Sequence, residues 1–137
     1  MNEKIIIKKL NILIKKAEEH NEIPVAALIV HKNKIIASSY NKTESNNNIL
    51  SHAEINVIKK ASKKLNNWRL NECTLYVTLE PCSMCKEIIK KSRINKVVYF
   101  IKQNNYLTEK NPIYQYIDNN ELKNSLKDSF KKIRNKK

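Results

Sequence analysis

No glycine occurs among the 137 residues of this chain. Turns and helix ends that require a positive φ usually contain glycine, and asparagine is the next most tolerant residue. We therefore expect asparagine to occupy such positions at Asn46-Asn47-Asn48, Asn66-Asn67, Asn104-Asn105 and Asn119-Asn120. Compositional bias is the alternative explanation for any single one of these clusters.

Cysteine and long apolar runs are also scarce. The chain has three cysteines, which does not support a disulfide framework. No apolar run is long enough to span a membrane, and the parts of a secretory signal peptide are missing. These absences predict a cytoplasmic protein that has no membrane partner.

Acidic residues are also scarce compared with basic ones. The chain has 27 basic and 13 acidic residues, which gives a formal net charge of +14. Such an excess favours polyanionic partners through counterion release and electrostatic steering. Codon usage in an AT-rich genome would also raise the lysine content, but acidic residues have AT-rich codons too and did not rise in step. The charge therefore favours a nucleic-acid partner.

Alternating helical and strand patterns predict an α/β fold in a single domain over residues 1–137. The patterns predict a first helix that ends near His20 and a hairpin of strands over 24–30 and 34–40, with its turn at Lys32-Asn33. Further strands are expected over 73–79, 97–101 and 113–117. A basic final helix has Leu122, Leu126, Phe130 and Ile133 on one face. The expected architecture is a sheet between helices.

Two short segments carry the chemistry, His52-Ala53-Glu54 and Pro81-Cys82-Ser83-Met84-Cys85. One imidazole and two thiolates supply three zinc ligands and leave a fourth position for water, as in catalytic zinc sites. Glu54 lies two residues from the imidazole and is available to move protons. Together the segments match the H-x-E and P-C-x-x-C signature of zinc deaminases.

The local sequence predicts that both segments begin helices. Ser51 is a good N-cap, which would place His52 in the first turn of a helix. Pro81 suits the opening of another helix, in which Cys82 and Cys85 would share one face. The positive ends of the two helices would then stabilise thiolate and hydroxide.

Each part of this motif has an alternative explanation. Ser51 and Glu54 also fit a capping box, in which the glutamate only bonds back to the cap residue. A Cys-x-x-Cys pair also occurs as a redox pair or as half of a structural zinc ribbon. A structural zinc would need a fourth protein ligand, and Cys73, His20 and His31 are not obvious candidates. We expect Cys73 to be a small buried hydrophobic residue.

The chain resembles the cytidine deaminase-like superfamily and, within it, the bacterial tRNA-specific adenosine deaminases. The resemblance rests on the segments 23–30, 51–55, 74–85, 92–100 and 126–134, and above all on Thr-Leu-Glu-Pro-Cys-x-Met-Cys at 78–85. It implies a three-layer α/β/α cytidine deaminase-like fold with a mixed central sheet of about five strands. It also implies hydrolytic deamination of the wobble adenosine to inosine in a tRNA anticodon stem-loop, by a homodimer.

The same resemblance implies roles for individual residues. One Zn²⁺ per subunit would be held by His52, Cys82 and Cys85. Glu54 would transfer protons from water to the ring nitrogen of the base and to the leaving ammonia. Asn41 would contact the target nucleoside, with a simple turn residue as the alternative. Backbone groups at Ala53 and Pro81 would grip the base.

Some positions depart from the family pattern. Ala26 stands where the family usually has glycine, and the segment 102–111 is shorter and glycine-free. Tyr106, Tyr114 and Tyr116 are able to stack on bases, although packing is the commoner role for each. Ser129 replaces a usual aromatic residue, which would loosen the last helix.

Four functions remain open from the sequence. The favoured one is the tRNA adenosine deaminase. The runner-up is a deaminase of a free nucleobase or nucleotide, of the guanine, cytosine, dCMP or riboflavin-precursor type. A non-enzymatic, zinc-stabilised RNA-binding protein would not need Glu54. A DNA partner is not expected, because the interval between His52 and the cysteines does not match a zinc finger.

Overall fold

The structure is a computed structural model that describes residues 1–103 and 111–135. Its elements follow the chain in the order α1 (Glu3–Glu19), β1 (Ala26–His31), β2 (Lys34–Tyr40), α2 (Ala53–Leu65), β3 (Cys73–Leu79), α3 (Ser83–Lys91), β4 (Lys96–Ile101), β5 (Ile113–Tyr116) and α4 (Asn120–Asn135). The predicted α/β class and the predicted strands are confirmed, with ends that differ by at most two residues.

The strands form one mixed sheet in the order β2-β1-β3-β4-β5. The strand β1 pairs antiparallel with β2 and with β3, whereas β4 runs parallel to both β3 and β5. The parallel pair β3 and β4 needs a crossover connection, and α3 provides it. The expected mixed sheet of about five strands is therefore present.

Both faces of the sheet are buried, which explains why the central strands are apolar throughout. In β1, Ala27 and Ile29 belong to the core that contains α2 and α3 residues. Ala26, Leu28 and Val30 belong to the core beneath α1 and α4. Alternate residues of a strand point to opposite faces, so each strand contributes to both cores. Helices thus cover the sheet on two sides, as a three-layer α/β/α fold requires.

The glycine-free turns use asparagine in part. Asn21, Asn33, Asn47 and Asn66 have positive φ, and so do Lys32, Glu72 and Arg93. Asn47 and Asn66 fall in two of the predicted clusters. In a third cluster, Asn119 acts differently, since its Oδ1 accepts a hydrogen bond from the Leu122 N–H at the start of α4. The cluster Asn104-Asn105 lies outside the described residues.

Both functional helices begin later than predicted, α2 by one residue and α3 by two. The N-cap of α2 is His52 rather than Ser51, and the N-cap of α3 is Cys82. The Ser51 N–H donates to the Asn48 carbonyl, so Ser51 closes the preceding turn instead of opening the helix. The capping-box explanation of Glu54 is wrong for the same reason, because Ser51 is not the cap residue.

The structure shows the surroundings of several positions that depart from the family pattern. Ala26 is fully buried with its N–H donating to Thr78 Oγ1 at 3.2 Å, and its φ is not positive, so the position does not require glycine. Tyr116 packs against Tyr99, with a centroid separation of 5.6 Å. Tyr106 and most of the segment 102–111 lie outside the described residues.

The last helix is held to the first by polar contacts. Ser129 Oγ donates to Glu18 Oε2 at 2.6 Å, and Lys132 Nζ lies 3.2 Å from Glu18 Oε1. The hydroxyl that replaces an aromatic ring is therefore buried and hydrogen-bonded, so the predicted loosening is offset. Across the described part of the chain, no helix combines the length and the apolar character needed to cross a membrane.

Candidate metal centre and pocket

The N-termini of α2 and α3 meet at one end of the sheet. His52 is the residue that caps α2, and Cys82 caps α3 after the connection from β3 through Leu79 and Pro81. Neither cap residue uses its side chain to bond the helix N–H groups. Their side chains are therefore available to face each other across the gap between the helices.

His52, Cys82 and Cys85 bring their donor atoms together. His52 Nδ1 lies 3.9 Å from Cys82 Sγ and 3.5 Å from Cys85 Sγ. A tetrahedral zinc with about 2.05 Å to nitrogen and about 2.3 Å to sulfur would separate such a pair by about 3.6 Å. The donor set and its spacing therefore fit a bound metal ion. In the described residues this is the only group of at least three possible ligands close enough to share an ion.

Cys73 is not part of this group. It is fully buried in β3 and packs in the core beneath α2 and α3. This location confirms its prediction as a small buried hydrophobic residue and removes one possible fourth ligand.

Glu54 lies beside the ligand group in the first turn of α2 and is 4% exposed. Burial raises the pKa of Glu54 to about 7, while hydrogen bonds from its own backbone N–H and from Cys85 act in the opposite direction. Burial also raises the pKa of the Cys85 thiol, and the charges of Glu54 and Cys82 add to this effect. A carboxyl group that titrates near neutral pH is suited to proton transfer.

A cavity of about 280 Å³ opens onto the ligand group. Its walls include His52, Glu54, Cys82 and Asn41. Asn41 is 5% exposed, and its Nδ2 donates to Thr43 Oγ1 at 3.2 Å. The structure thus brings Asn41 to the same cavity as the metal-ligand set, although the two lie on different elements.

Ala53 and Pro81 are the remaining residues proposed for substrate binding. Both are buried and flank the metal-ligand residues in sequence, Ala53 after His52 and Pro81 before Cys82. Among the described residues that line the cavity, neither one is present, so their proposed backbone contacts with the base stay a prediction.

Two buried carboxylates near the cavity were not predicted from the sequence. Glu22 is fully buried and accepts hydrogen bonds from the backbone N–H groups of Glu44 and Ser45, at 3.1 and 2.6 Å. Glu80 is 2% exposed and pairs with Lys86 at 3.0 Å. The available signal was weak, since an acidic residue beside apolar neighbours is common on protein surfaces.

Comparison with known proteins identifies a family model that spans nearly the whole chain and relatives that match a large part of it. The family model described as MafB19-like deaminase matches residues 1–134. The tRNA-specific adenosine deaminase of Bacillus subtilis (strain 168) is 48% identical over 85 residues, which are 62% of this chain and 53% of that protein. The tRNA-specific adenosine deaminase of Buchnera aphidicola subsp. Schizaphis graminum is 40% identical over 111 residues, or 81% of this chain and 72% of that protein. The chain therefore spans about half the length of the Bacillus relative.

Two solved structures show the same fold at substantial identity. One, from work on A-to-I editing by tRNA:A34 deaminases at the wobble position of transfer RNA, has a TM-score of 0.76 and 30% identity. The match covers 85% of this chain and 100% of that one. The other is a guanine deaminase from Bacillus subtilis, with a TM-score of 0.69, 34% identity, and coverage of 74% and 66% of the two chains.

Proposed function

The chain belongs to the MafB19-like deaminase family, and from this we propose that it is a zinc-dependent hydrolase that converts the wobble adenosine of a tRNA anticodon loop to inosine. The observation that carries the proposal is the position of Glu54. A buried carboxyl group touches Cys85 of the ligand group and lines a cavity of about 280 Å³. The relatives that are tRNA-specific adenosine deaminases support this choice of substrate.

His52, Cys82 and Cys85 are the proposed zinc ligands. Their Nδ1 and Sγ atoms lie within 4.8 Å of one another, and they are supplied by two helix N-termini. The positive ends of these helices and a bound metal ion would both offset the burial that raises the pKa of the Cys85 thiol, and so favour the thiolate form. When bound, zinc would lower the pKa of water to about 7 and so make hydroxide available at neutral pH.

Glu54 is the proposed general acid and base. Its carboxylate would accept the proton that water loses on attack at C6 of adenine and would deliver it to the ring nitrogen. Glu54 would then transfer the proton of the new C6 hydroxyl group to the amino group. The amino group then leaves as ammonia, so that adenosine and water become inosine and ammonia. Burial raises the pKa of Glu54 to about 7 in the metal-free protein, and a carboxyl group held above its usual range is suited to both accepting and releasing a proton.

Asn41 and the shape of the cavity are the proposed basis of nucleoside recognition. Because Thr43 holds the Asn41 amide nitrogen, the Asn41 Oδ1 is left to accept a hydrogen bond from the ligand. The volume of about 280 Å³ suits one nucleoside and excludes a stacked helix. A target base would therefore have to be extruded from its strand, which an anticodon loop allows.

A homodimer and a cytoplasmic location remain parts of this proposal. Ile49 and Leu50, beside the cavity, are 75% and 51% exposed. A second copy of the chain would remove these apolar side chains from water, which supports the dimer.

The proposal is tested by incubating the zinc-loaded protein with an anticodon stem-loop that has adenosine at the wobble position. Nucleoside mass analysis is expected to show inosine at that position only. The variant E54Q should retain zinc and RNA binding but lose turnover by several orders of magnitude. Inosine formation at an unchanged rate by E54Q would contradict the assigned role of Glu54.

The solved guanine deaminase supports one alternative, the deamination of free guanine. Free guanine, adenine, cytosine and cytidine should therefore be assayed alongside the stem-loop, with ammonia release as the readout. Ammonia from a free base together with no inosine in RNA would replace the proposed substrate.

A further inference from the structure

A basic depression lies on the outer side of α2, beside the edge strand β2. It has a volume of about 720 Å³, and four lysines line it, Lys42, Lys59, Lys60 and Lys63. The other polar groups in its lining are serine and asparagine side chains, and the described residues contribute no carboxylate to it. We call this depression the lysine groove.

The charges of the lysine groove are not neutralised by the protein. In the part of the chain that the structure describes, none of the ion pairs involves any of its four lysines. Two of the ammonium groups are also held in place. Lys60 Nζ donates to the Ser38 carbonyl at 2.9 Å, and Lys42 Nζ lies 4.9 Å from the centre of the Tyr40 ring.

Another groove, between α1 and α4, provides a comparison. It has a volume of about 610 Å³ and is lined by Lys4, Lys8 and Lys15, but also by Glu3 and Glu121. Its formal charge is therefore +1, whereas that of the lysine groove is +4. The high lysine content of the chain alone does not explain why acidic residues are absent from one groove and present in the other.

Lys60 lies in a positive electrostatic environment, to which Lys42 of the groove and Lys16 of α1 contribute. Burial lowers the pKa of Lys60, and the positive charges of Lys42 and Lys16 lower it further. Like charges that repel one another in the free protein would be stabilised by a bound anion.

The lysine groove and the proposed active-site cavity lie on either side of one segment of the chain. Lys42 directly follows Asn41, which lines that cavity. The Lys42 N–H donates to the Ser51 carbonyl at 2.8 Å, and Asn46 Nδ2 donates to Ser51 Oγ at 3.1 Å. One short segment, residues 41–51, thus forms a wall of both depressions.

We propose that the lysine groove binds backbone phosphates of RNA that flank the base in the cavity. This inference rests on the proposed function, because the cavity admits one nucleoside while its neighbouring nucleotides must leave along the surface. Phosphates carry the negative charge that would neutralise the four lysines of the groove, and lysine ammonium groups bind phosphates without sequence preference. The groove would therefore contribute affinity and position, and the cavity would contribute base recognition.

The test measures binding of the wobble-adenosine stem-loop as a function of salt, for the zinc-loaded wild type and for K59A/K63A. Both lysines are exposed on α2, so the substitutions should leave the fold intact. Loss of two single-strand phosphate contacts should reduce the slope of log K against log salt by about 1.4. With that difference in slope, the affinity of the variant relative to the wild type should be roughly 25-fold lower at 0.1 M salt than at 1 M salt.

The variant K8A/K15A is the matched control, because it removes the same charge from the groove between α1 and α4. It should change the slope by much less than K59A/K63A does. Equal slopes for the two variants would overturn the assignment of phosphates to the lysine groove. If the wild type still makes inosine in that case, the proposed function is supported and only the lysine-groove proposal is rejected. A wild type that neither binds RNA nor makes inosine would overturn both proposals.

Discussion

Replacement of Glu22 by glutamine should destabilise the protein and weaken substrate binding, although Glu22 does not touch the proposed substrate. The Glu22 side chain has no exposed surface, and one carboxylate oxygen accepts from the Glu44 N–H while the other accepts from the Ser45 N–H and hydroxyl. These bonds hold the start of the segment that carries Asn41 and ends at His52. In E22Q, one oxygen becomes an NH₂ group that cannot accept them.

The magnitude follows from the hydrogen bonds that E22Q loses. Each hydrogen bond to a charged group contributes about 1.5–3 kcal/mol, and an amide can keep the acceptor on one side only. We expect a loss of about 3 kcal/mol in the free energy of unfolding. For a domain of this size, that loss corresponds to a decrease of roughly 12 °C in Tm.

Urea unfolding of the zinc-loaded protein measures the stability loss, and steady-state deamination of the stem-loop measures the effect on the site. Because Asn41 and Thr43 would shift with the segment, KM should rise more than kcat falls. The exposed residue Glu19, on α1, offers a control with the same change of charge in E19Q. A difference in unfolding free energy below about 0.5 kcal/mol between E22Q and E19Q would refute the reasoning.

Three further predictions concern the metal, the buried acid and a strained turn. If free zinc is about 1,000-fold above its Kd, removal of the zinc by a chelator should lower the free energy of unfolding by about 4 kcal/mol, which a thermal scan measures as a lower Tm. In the same scan, the Tm of C82A should not change when the chelator is added. In metal-free protein, the raised pKa of Glu54 means that stability present below pH 4.5 is lost as the pH rises to about 7. In urea titrations, the free energy of unfolding of metal-free E54Q minus that of the wild type should therefore grow by up to about 3 kcal/mol across that pH range. A difference that does not vary with pH would contradict the raised pKa of Glu54. Arg93 has a φ of 68° just after α3, so R93G should stabilise the protein by about 0.5–1 kcal/mol, and a lower Tm would show that the side chain matters more than the backbone.

The central strands could be predicted closely from the sequence because both of their faces are buried. The predicted range 73–79 is the observed range of β3, in which Cys73, Leu75 and Val77 belong to one core while Tyr76 packs against the other. The starts of the functional helices were less predictable. A serine is a good cap in isolation, but here the Ser51 N–H donates a hydrogen bond to the Asn48 carbonyl and Ser51 belongs to the preceding turn. His52 is the N-cap residue instead, and α2 begins after it.

The metal-ligand set was predictable because its chemistry is local, whereas its surroundings were not. Short spacings place His52 beside Glu54 and Cys82 near Cys85, and a shared metal is the simplest reason for such residue types. The lysine groove, by contrast, combines Lys42 after β2 with three lysines of α2. The spacing of Lys59, Lys60 and Lys63 places them on one side of a helix, but nothing in the sequence indicates that Lys42 lies beside them, because that proximity comes from the packing of α2 on β2.

The absence of glycine has a consequence for how the site is held. Lys32, Glu72 and Arg93 adopt positive φ at a steric cost that glycine would not incur, but none of them lies in the segment 41–51. That segment is fixed instead by side chains that bond its backbone, among them Glu22 on the Glu44 and Ser45 N–H groups and Asn48 Oδ1 on the Leu50 N–H. Because the wall between the cavity and the lysine groove depends on these bonds, substitutions that break them should affect base recognition and phosphate binding together.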